Sequence, residues 1–354
     1  MIYHLSLLLK PYLSFLNVIH YVTFRSMASL LTTLCSTILF GRWFIGKSKQ
    51  FFRSSAREFT PETHRAKDNM PTMGGLFIIV VIGLNSLMWC NIYDLKVWLF
   101  LLLISGFGLI GFWDDWQKIK YNRGISARLK FGLQCLIALI VVALLLATGQ
   151  VDPVVCFPFF KCACVYLGIL YLFWAMFIIV GCSNAVNLTD GLDGLAIGSL
   201  IPNFAVFSII SYLAGHRYLS DYLCIPFTHT DQMAVIGAIL VGASLGFLWF
   251  NTYPAQIFMG DVGSLALGSA LAYLALVCKQ EMLLPIAGGL FVIETISVIM
   301  QVASFKLFGK KIFRMAPIHH HFELLGWPES RITARFGIIS FVLCLLALMT
   351  LKLR

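Results

Sequence analysis

Five short stretches of the chain gather the side chains that can do chemistry. They are Lys67-Asp68-Asn69, Asp114-Asp115-Trp116-Gln117-Lys118, the run from Asn184 to Gly194, the run from Asn251 to Asp261, and Pro317-Ile318-His319-His320-His321. Carboxylates are hard oxygen donors of the kind that hold Mg²⁺. Asp114 and Asp115 close an apolar stretch. Acids at a helix C-terminus oppose the macrodipole, a cost that a bound cation removes. Lys118 follows at i+4 and i+3, where either pair can meet on one helical face. Asn187, Asp190 and Asp193 fall three apart. That spacing lines one helical face, or, with Gly191 and Gly194 between, makes a tight loop whose backbone approaches a ligand. Asp193 is also placed to cap the helix that starts near Leu195, and Asp261 to cap another. Three consecutive His cannot easily face one ion, so His319 to His321 is not a zinc pattern. With Lys311 and Arg314 the run reads as a phosphate-contacting loop or as a polar loop. Together these groups suit a polyanionic substrate and phosphoryl transfer, which needs Mg²⁺ on carboxylates and cations against the developing charge.

The elements that position these residues follow from composition. Of 354 residues, 59% are hydrophobic and 12% charged, with mean hydropathy +0.87. A soluble domain carries about 25% charged residues. The chain therefore reads as an all-α integral membrane protein and not as a cytosolic enzyme, a fibrous repeat or a disordered chain. Apolar windows near 26–46, 74–93, 97–113, 131–149, 165–183, 195–214, 234–250, 263–278, 284–305 and 336–352 predict ten spans. Those near 97–113 and 263–278 are short and need help from neighbouring helices or local thinning of the bilayer. Residues 1–354 read as one polytopic domain: an outer interfacial segment over 1–25 and a ten-helix core over 26–352.

The net charge is +10. On a soluble protein that would suggest a nucleic-acid partner; here it reads as basic cytoplasmic loops, with no nucleic acid. Most Lys and Arg fall in odd-numbered connections, among them Lys47 to Lys67, Lys118 to Lys130 and Lys306 to Arg335. By the positive-inside rule those connections face the cytoplasm and both termini face the periplasm. All five chemical stretches lie in them. Glu294 is the exception, deep in the ninth span, where an acid is a functional candidate by default. It is expected to act in packing or kinking, with Gln301 or Thr295 as partner. The ten Cys are scattered; Cys162 and Cys164 share one loop and could pair or bind metal, but no second pair completes a metal site, and they read as ordinary loop residues.

The motifs resemble those of the phospho-N-acetylmuramoyl-pentapeptide transferases, a branch of the polyprenyl-phosphate N-acetylhexosamine-1-phosphate transferase superfamily. The resemblance is carried by Asp114-Asp115-Trp-Gln-Lys118, by Asn184 to Ala196, by Phe250-Asn251-Thr-Tyr-Pro-Ala-Gln256, by Phe258-Met-Gly-Asp261-Val-Gly-Ser264 and by Met315-Ala-Pro-Ile-His-His-His-Phe-Glu323. It covers about Tyr21 to the C-terminus, and the triple His is its most specific part. It implies ten transmembrane helices in the bacterial inner membrane, a cytoplasmic active site and a homodimer. The implied substrates are UDP-MurNAc-pentapeptide and undecaprenyl phosphate, which give lipid I and UMP in a Mg²⁺-dependent step of peptidoglycan synthesis. Residue by residue it makes Asp261 the firmest Mg²⁺ ligand, with Asp114 and Asp115 beside it. It gives the uridine to Lys67, Gly191, Leu192, Asp193, Asn251 and Phe258. Lys118, Lys130, Asn187, Asp190, His319, His320 and His321 then line the catalytic cleft. A sister transferase moving GlcNAc-1-phosphate to the same lipid is the nearest rival, against which the His run argues. A transporter would carry ionisable groups near the bilayer midplane; most of the charge here lies at one face.

Overall fold

The computed structural model describes residues 1–51, 70–160 and 163–352. Lys67, Asp68, Asn69 and Cys162 lie outside them.

The described chain is mostly helical. A short helix α1 (Ile2–Leu9) and a 3₁₀ segment (Ser14–His20) precede α2 (Val22–Phe51), α3 (Gly74–Trp89), α4 (Leu95–Tyr121) and α5 (Ala127–Ala147). A two-stranded hairpin, β1 (Val154–Cys156) and β2 (Cys164–Tyr166), leads to α6 (Leu170–Thr189), α7 (Leu195–Gly215) and the short α8 (Arg217–Leu223). Then come α9 (Asp231–Asn251), α10 (Gly260–Val277), α11 (Leu284–Ala287), α12 (Gly289–Phe308), α13 (Ile318–Glu323) and α14 (Glu329–Thr350).

Among the described residues 9 helices are long and apolar enough to cross a membrane. The window at 74–93 forms only the 16-residue α3. At 1.5 Å per residue it spans about 24 Å, short of a bilayer core of about 30 Å. The sequence instead places the shortfall at 97–113 and 263–278. The first of these lengthens to the 27 residues of α4, because the polar segment after Trp113 stays helical. The second forms the 18-residue α10.

Helix α10 is the hub. It is buried from Val262 to Val277 and packs on α3, α4, α6 and α7. Helix α9 is nearly as buried, between α2 and α7. By contrast α2, α5, α12 and α14 keep broad apolar faces exposed, as helices bordering lipid do. Crossings close to the site depend on small residues: a Cβ on Gly111 of α4 would lie 2.3 Å from the carbonyl oxygen of Asp261 in α10. That close approach puts the last turns of α4 beside the first turn of α10.

The hairpin sets Cys156 opposite Cys164 in register, and they form a disulfide. The sequence reading leaves Cys164 unpaired or grouped with Cys162. The bond is instead an outcome of strand pairing, which spacing alone does not reveal.

Candidate functional site

The odd-numbered connections meet at one end of the bundle. The Phe258 amide donates to Pro71 O at 2.9 Å, and the Gly74 amide to Phe258 O at 2.9 Å, which joins the segment before α3 to the α9–α10 connection. Gly194 N–H donates to Asn251 Oδ1 at 3.1 Å, and Ala255 N–H to Asp193 Oδ2 at 3.1 Å. Asp193 N–H donates to Glu329 Oε1 at 2.7 Å, which ties in the start of α14. Asn187 Nδ2 donates to Ser264 Oγ at 2.8 Å.

At the centre lie three carboxylates and two ammonium groups. Asp114 and Asp115 stand on consecutive positions of α4, and Asp261 in the first turn of α10, where the helix dipole favours a negative charge. One oxygen from each of the three lies within 4.8 Å of the others. Lys118 Nζ sits 2.8 Å from Asp114, 3.2 Å from Asp115 and 2.9 Å from Asp261. Lys130, in the first turn of α5, reaches Asp114 at 3.2 Å and Asp261 at 2.5 Å. The other oxygen of Asp114 accepts the Ile125 amide at 2.8 Å, which fixes the loop between α4 and α5. Two lysines thus offset two of three negative charges and leave one in excess. Hard oxygens with a residual negative charge fit a divalent cation such as Mg²⁺.

Some local expectations are corrected here. Asp114 and Asp115 do not end their helix: α4 runs on to Tyr121, with Lys118 and Lys120 in the last turn to complement the dipole. Asp193 does not cap α7; the N-cap position is Gly194 at φ 76, and the Asp193 carboxylate reaches across to Ala255. Nor does Asp261 cap α10: it is the second residue of the helix and spends its carboxylate on the two lysines. The series Asn187, Asp190, Asp193 is half helix and half turn, because α6 stops at Thr189.

A cavity of about 220 Å³ opens beside the cluster. Asn187, Asp190, Gly191, Leu192, Asp193, Asn251, Phe258, Met259, Gly260 and Asp261 line it. Burial, reinforced by the charges of Asp261, Asp115 and Asp193, pushes the Asp190 carboxyl up to about 8. A carboxyl raised above its unfolded value of about 3.9 stabilises the fold most below that value, and this contribution is lost as pH climbs to the folded one. Metal-free Asp190→Asn protein should therefore show a shallower fall in Tm than wild type between about pH 4 and about pH 8 in detergent melting curves. Parallel slopes would contradict the burial argument.

The three histidines face different ways. His319 is fully buried, with Nδ1 3.1 Å from the Glu294 carboxylate of α12. His320 Nδ1 lies 3.0 Å from Glu323, and His321 Nδ1 accepts the Arg314 amide at 3.1 Å. Burial holds the His319 imidazole below its ordinary pKa. Glu294 therefore joins the loop chemistry through His319, and neither expected partner meets it. Gln301 is turned to the Ile312 and Phe313 backbone, and Thr295 Oγ1 donates to Phe291 O. Glu329 is absent from the sequence-derived set. Its only local signal is an acid opening a helix after Pro328.

The glycosyl transferase family 4 profile matches residues 97–279. Three relatives carry the name phospho-N-acetylmuramoyl-pentapeptide-transferase. Those of Syntrophus aciditrophicus and Solidesulfovibrio magneticus are each 48% identical to this chain, and that of Aquifex aeolicus is 46% identical; every match covers all of both chains. The chain belongs to the phospho-N-acetylmuramoyl-pentapeptide-transferase family. The matched stretch 97–279 contains the carboxylate–lysine cluster and all ten residues named as lining the cavity, but not α13 or Glu329.

Proposed function

We propose that the protein transfers phospho-N-acetylmuramoyl-pentapeptide from its UDP carrier to undecaprenyl phosphate, releasing UMP and forming lipid I. The observation that carries this reading is the continuity of one cavity, from Gly191, Leu192, Asp193, Asn251 and Phe258 to Asp261 of the carboxylate–lysine cluster. In the reaction an oxygen of the lipid monophosphate attacks the sugar-bearing phosphorus, and the bond to the bridging oxygen breaks as UMP leaves. Asp193 and Asn251 provide polar groups for the nucleoside, Phe258 a ring for stacking the base, and Lys67 belongs with them by motif. Lys118 and Lys130 hold fixed positive charge where phosphoryl oxygens gain negative charge. Asp114, Asp115 and Asp261 would hold Mg²⁺, which when bound polarises phosphoryl oxygens as a Lewis acid. Asn187, Asp190 and His319 to His321 complete the surroundings of the cleft.

The same reading makes the chain one ten-crossing inner-membrane domain, with α3 as the short crossing, both termini periplasmic, the cleft cytoplasmic and the protein a homodimer. A disulfide between β1 and β2 supports an oxidising compartment for that connection, opposite the cleft.

The test uses purified protein in detergent with Mg²⁺ and undecaprenyl phosphate, offered UDP-MurNAc-pentapeptide or UDP-GlcNAc. UMP is expected from the first and not the second. Release from UDP-GlcNAc alone would assign the chain to the sister reaction, and lipid-linked sugar movement without UMP would support a transporter.

A further inference from the structure

Helix α12 buries only a narrow stripe, formed by Leu290, Phe291, Glu294 and Ser297. Its other faces, with Ile293, Ile296, Ile299 and Met300, are exposed. A carboxylate in the middle of such a stripe is costly, and an apolar side chain of similar size would serve packing as well or better. Glu294 is fully buried, and so is His319, 25 positions later, whose Nδ1 it meets at 3.1 Å. Apart from this 3.1 Å contact, neither side chain has a polar partner among the described residues. The far edge of the same imidazole lies against the backbone of Gly191: a Cβ there would be 2.2 Å from Nε2. Gly191 in turn lines the cavity. A chain of contact therefore runs from an acid inside the bundle, through one ring, to the loop at the nucleotide end.

We infer that Glu294 is a positioning residue for nucleotide binding: it orients His319 through Nδ1, and the ring supports the Gly191 turn from behind. The inference rests on the functional reading above. An ionised carboxylate accepts the Nδ1 proton and leaves Nε2 unprotonated toward the loop, so one tautomer and one ring orientation are selected. An amide at position 294 fills the same space but accepts from Nδ1 or donates to it, and the selection is lost. The loop holds the nucleotide in ground state and transition state alike, so the deficit belongs in KM more than in kcat.

The experiment is UMP-release kinetics with UDP-MurNAc-pentapeptide as the varied substrate. For Glu294→Gln we expect KM to rise about tenfold, the scale of coupling between contacting side chains, with kcat within about twofold of wild type. His319→Asn should raise KM similarly, and the double variant should be no worse than His319→Asn, since the two act in series. Unchanged KM in Glu294→Gln, or additive losses in the double variant, would overturn the inference. If Glu294→Gln does not fold, Gly191→Ala takes its place: its methyl presses on Nε2 from the opposite side, and unchanged KM there overturns the inference as well. A wild-type protein that releases no UMP and binds none in calorimetry overturns the functional reading and the inference with it. A wild type that does both, with unaltered variants, overturns the inference alone.

Discussion

Asp261→Ala is expected to lower UMP release by about a thousandfold, at the upper end of what losing one fixed electrostatic contact costs in an enzyme. The geometry explains the size. Asp261 is the one carboxylate of the cluster that comes from α10, and both Lys118 and Lys130 lean on it. Without it, Asp114 and Asp115 remain on α4 with two ammonium groups, a neutral set that no longer attracts a divalent cation. A second readout separates this from damage to the fold. Mg²⁺ should raise the Tm of wild type and leave that of Asp261→Ala unmoved, because a ligand stabilises only the state that binds it. Activity within tenfold of wild type, or an intact Mg²⁺ shift, would remove Asp261 from the metal site.

Asp114→Asn should lose about a hundredfold in rate while its pH–rate profile keeps the shape of wild type. One proposal for such a site makes the first acid a base that deprotonates the lipid phosphate. A phosphate monoester has a second pKa near ~6, so at neutral pH most of it is already dianionic and leaves a base little to remove. The structure adds a geometric objection. One oxygen of Asp114 accepts the Ile125 amide at 2.8 Å, and the other is held by Lys118 at 2.8 Å and Lys130 at 3.2 Å. Each oxygen already faces a positive partner, the Ile125 N–H on one side and the two ammonium groups on the other, so the carboxylate is placed to anchor cations, a metal ion among them. Asparagine keeps the amide contact but turns N–H donors toward ammonium groups, which repels them from the cluster. The loss is then one of charge placement. Recovery of activity at high pH, or disappearance of the acidic limb of the wild-type profile, would show proton abstraction instead.

Much of this protein is legible in its sequence because a membrane imposes simple rules. Runs of about 20 apolar residues become helices, since backbone polar groups inside lipid must be satisfied within the segment. Among the described residues those rules hold for nine helices; α3 ends at Trp89 and falls short, the expected shortfall at 97–113 is absent, and the window 284–305 divides into α11 and α12. The polar motifs were legible as well, because Asp, Asn, Lys and His are rare enough in such a chain to stand out wherever they cluster. The motifs alone carry the resemblance to the family, with no contact between them required.

Only the tertiary structure decided which of these groups meet. Lys130 and Asp261 are 131 positions apart, and they touch because α5 and α10 both pack on α4. Asp193 looked like a cap and is a cross-loop acceptor; Glu294 looked like a packing residue and is the partner of His319. Cys164 found Cys156 through strand register. Local rules describe what a side chain can do within its own turn of helix, where distances follow from 1.5 Å per residue. They say nothing about neighbours supplied by another helix, because those distances depend on how whole helices pack, down to a glycine such as Gly111 that lets two backbones meet.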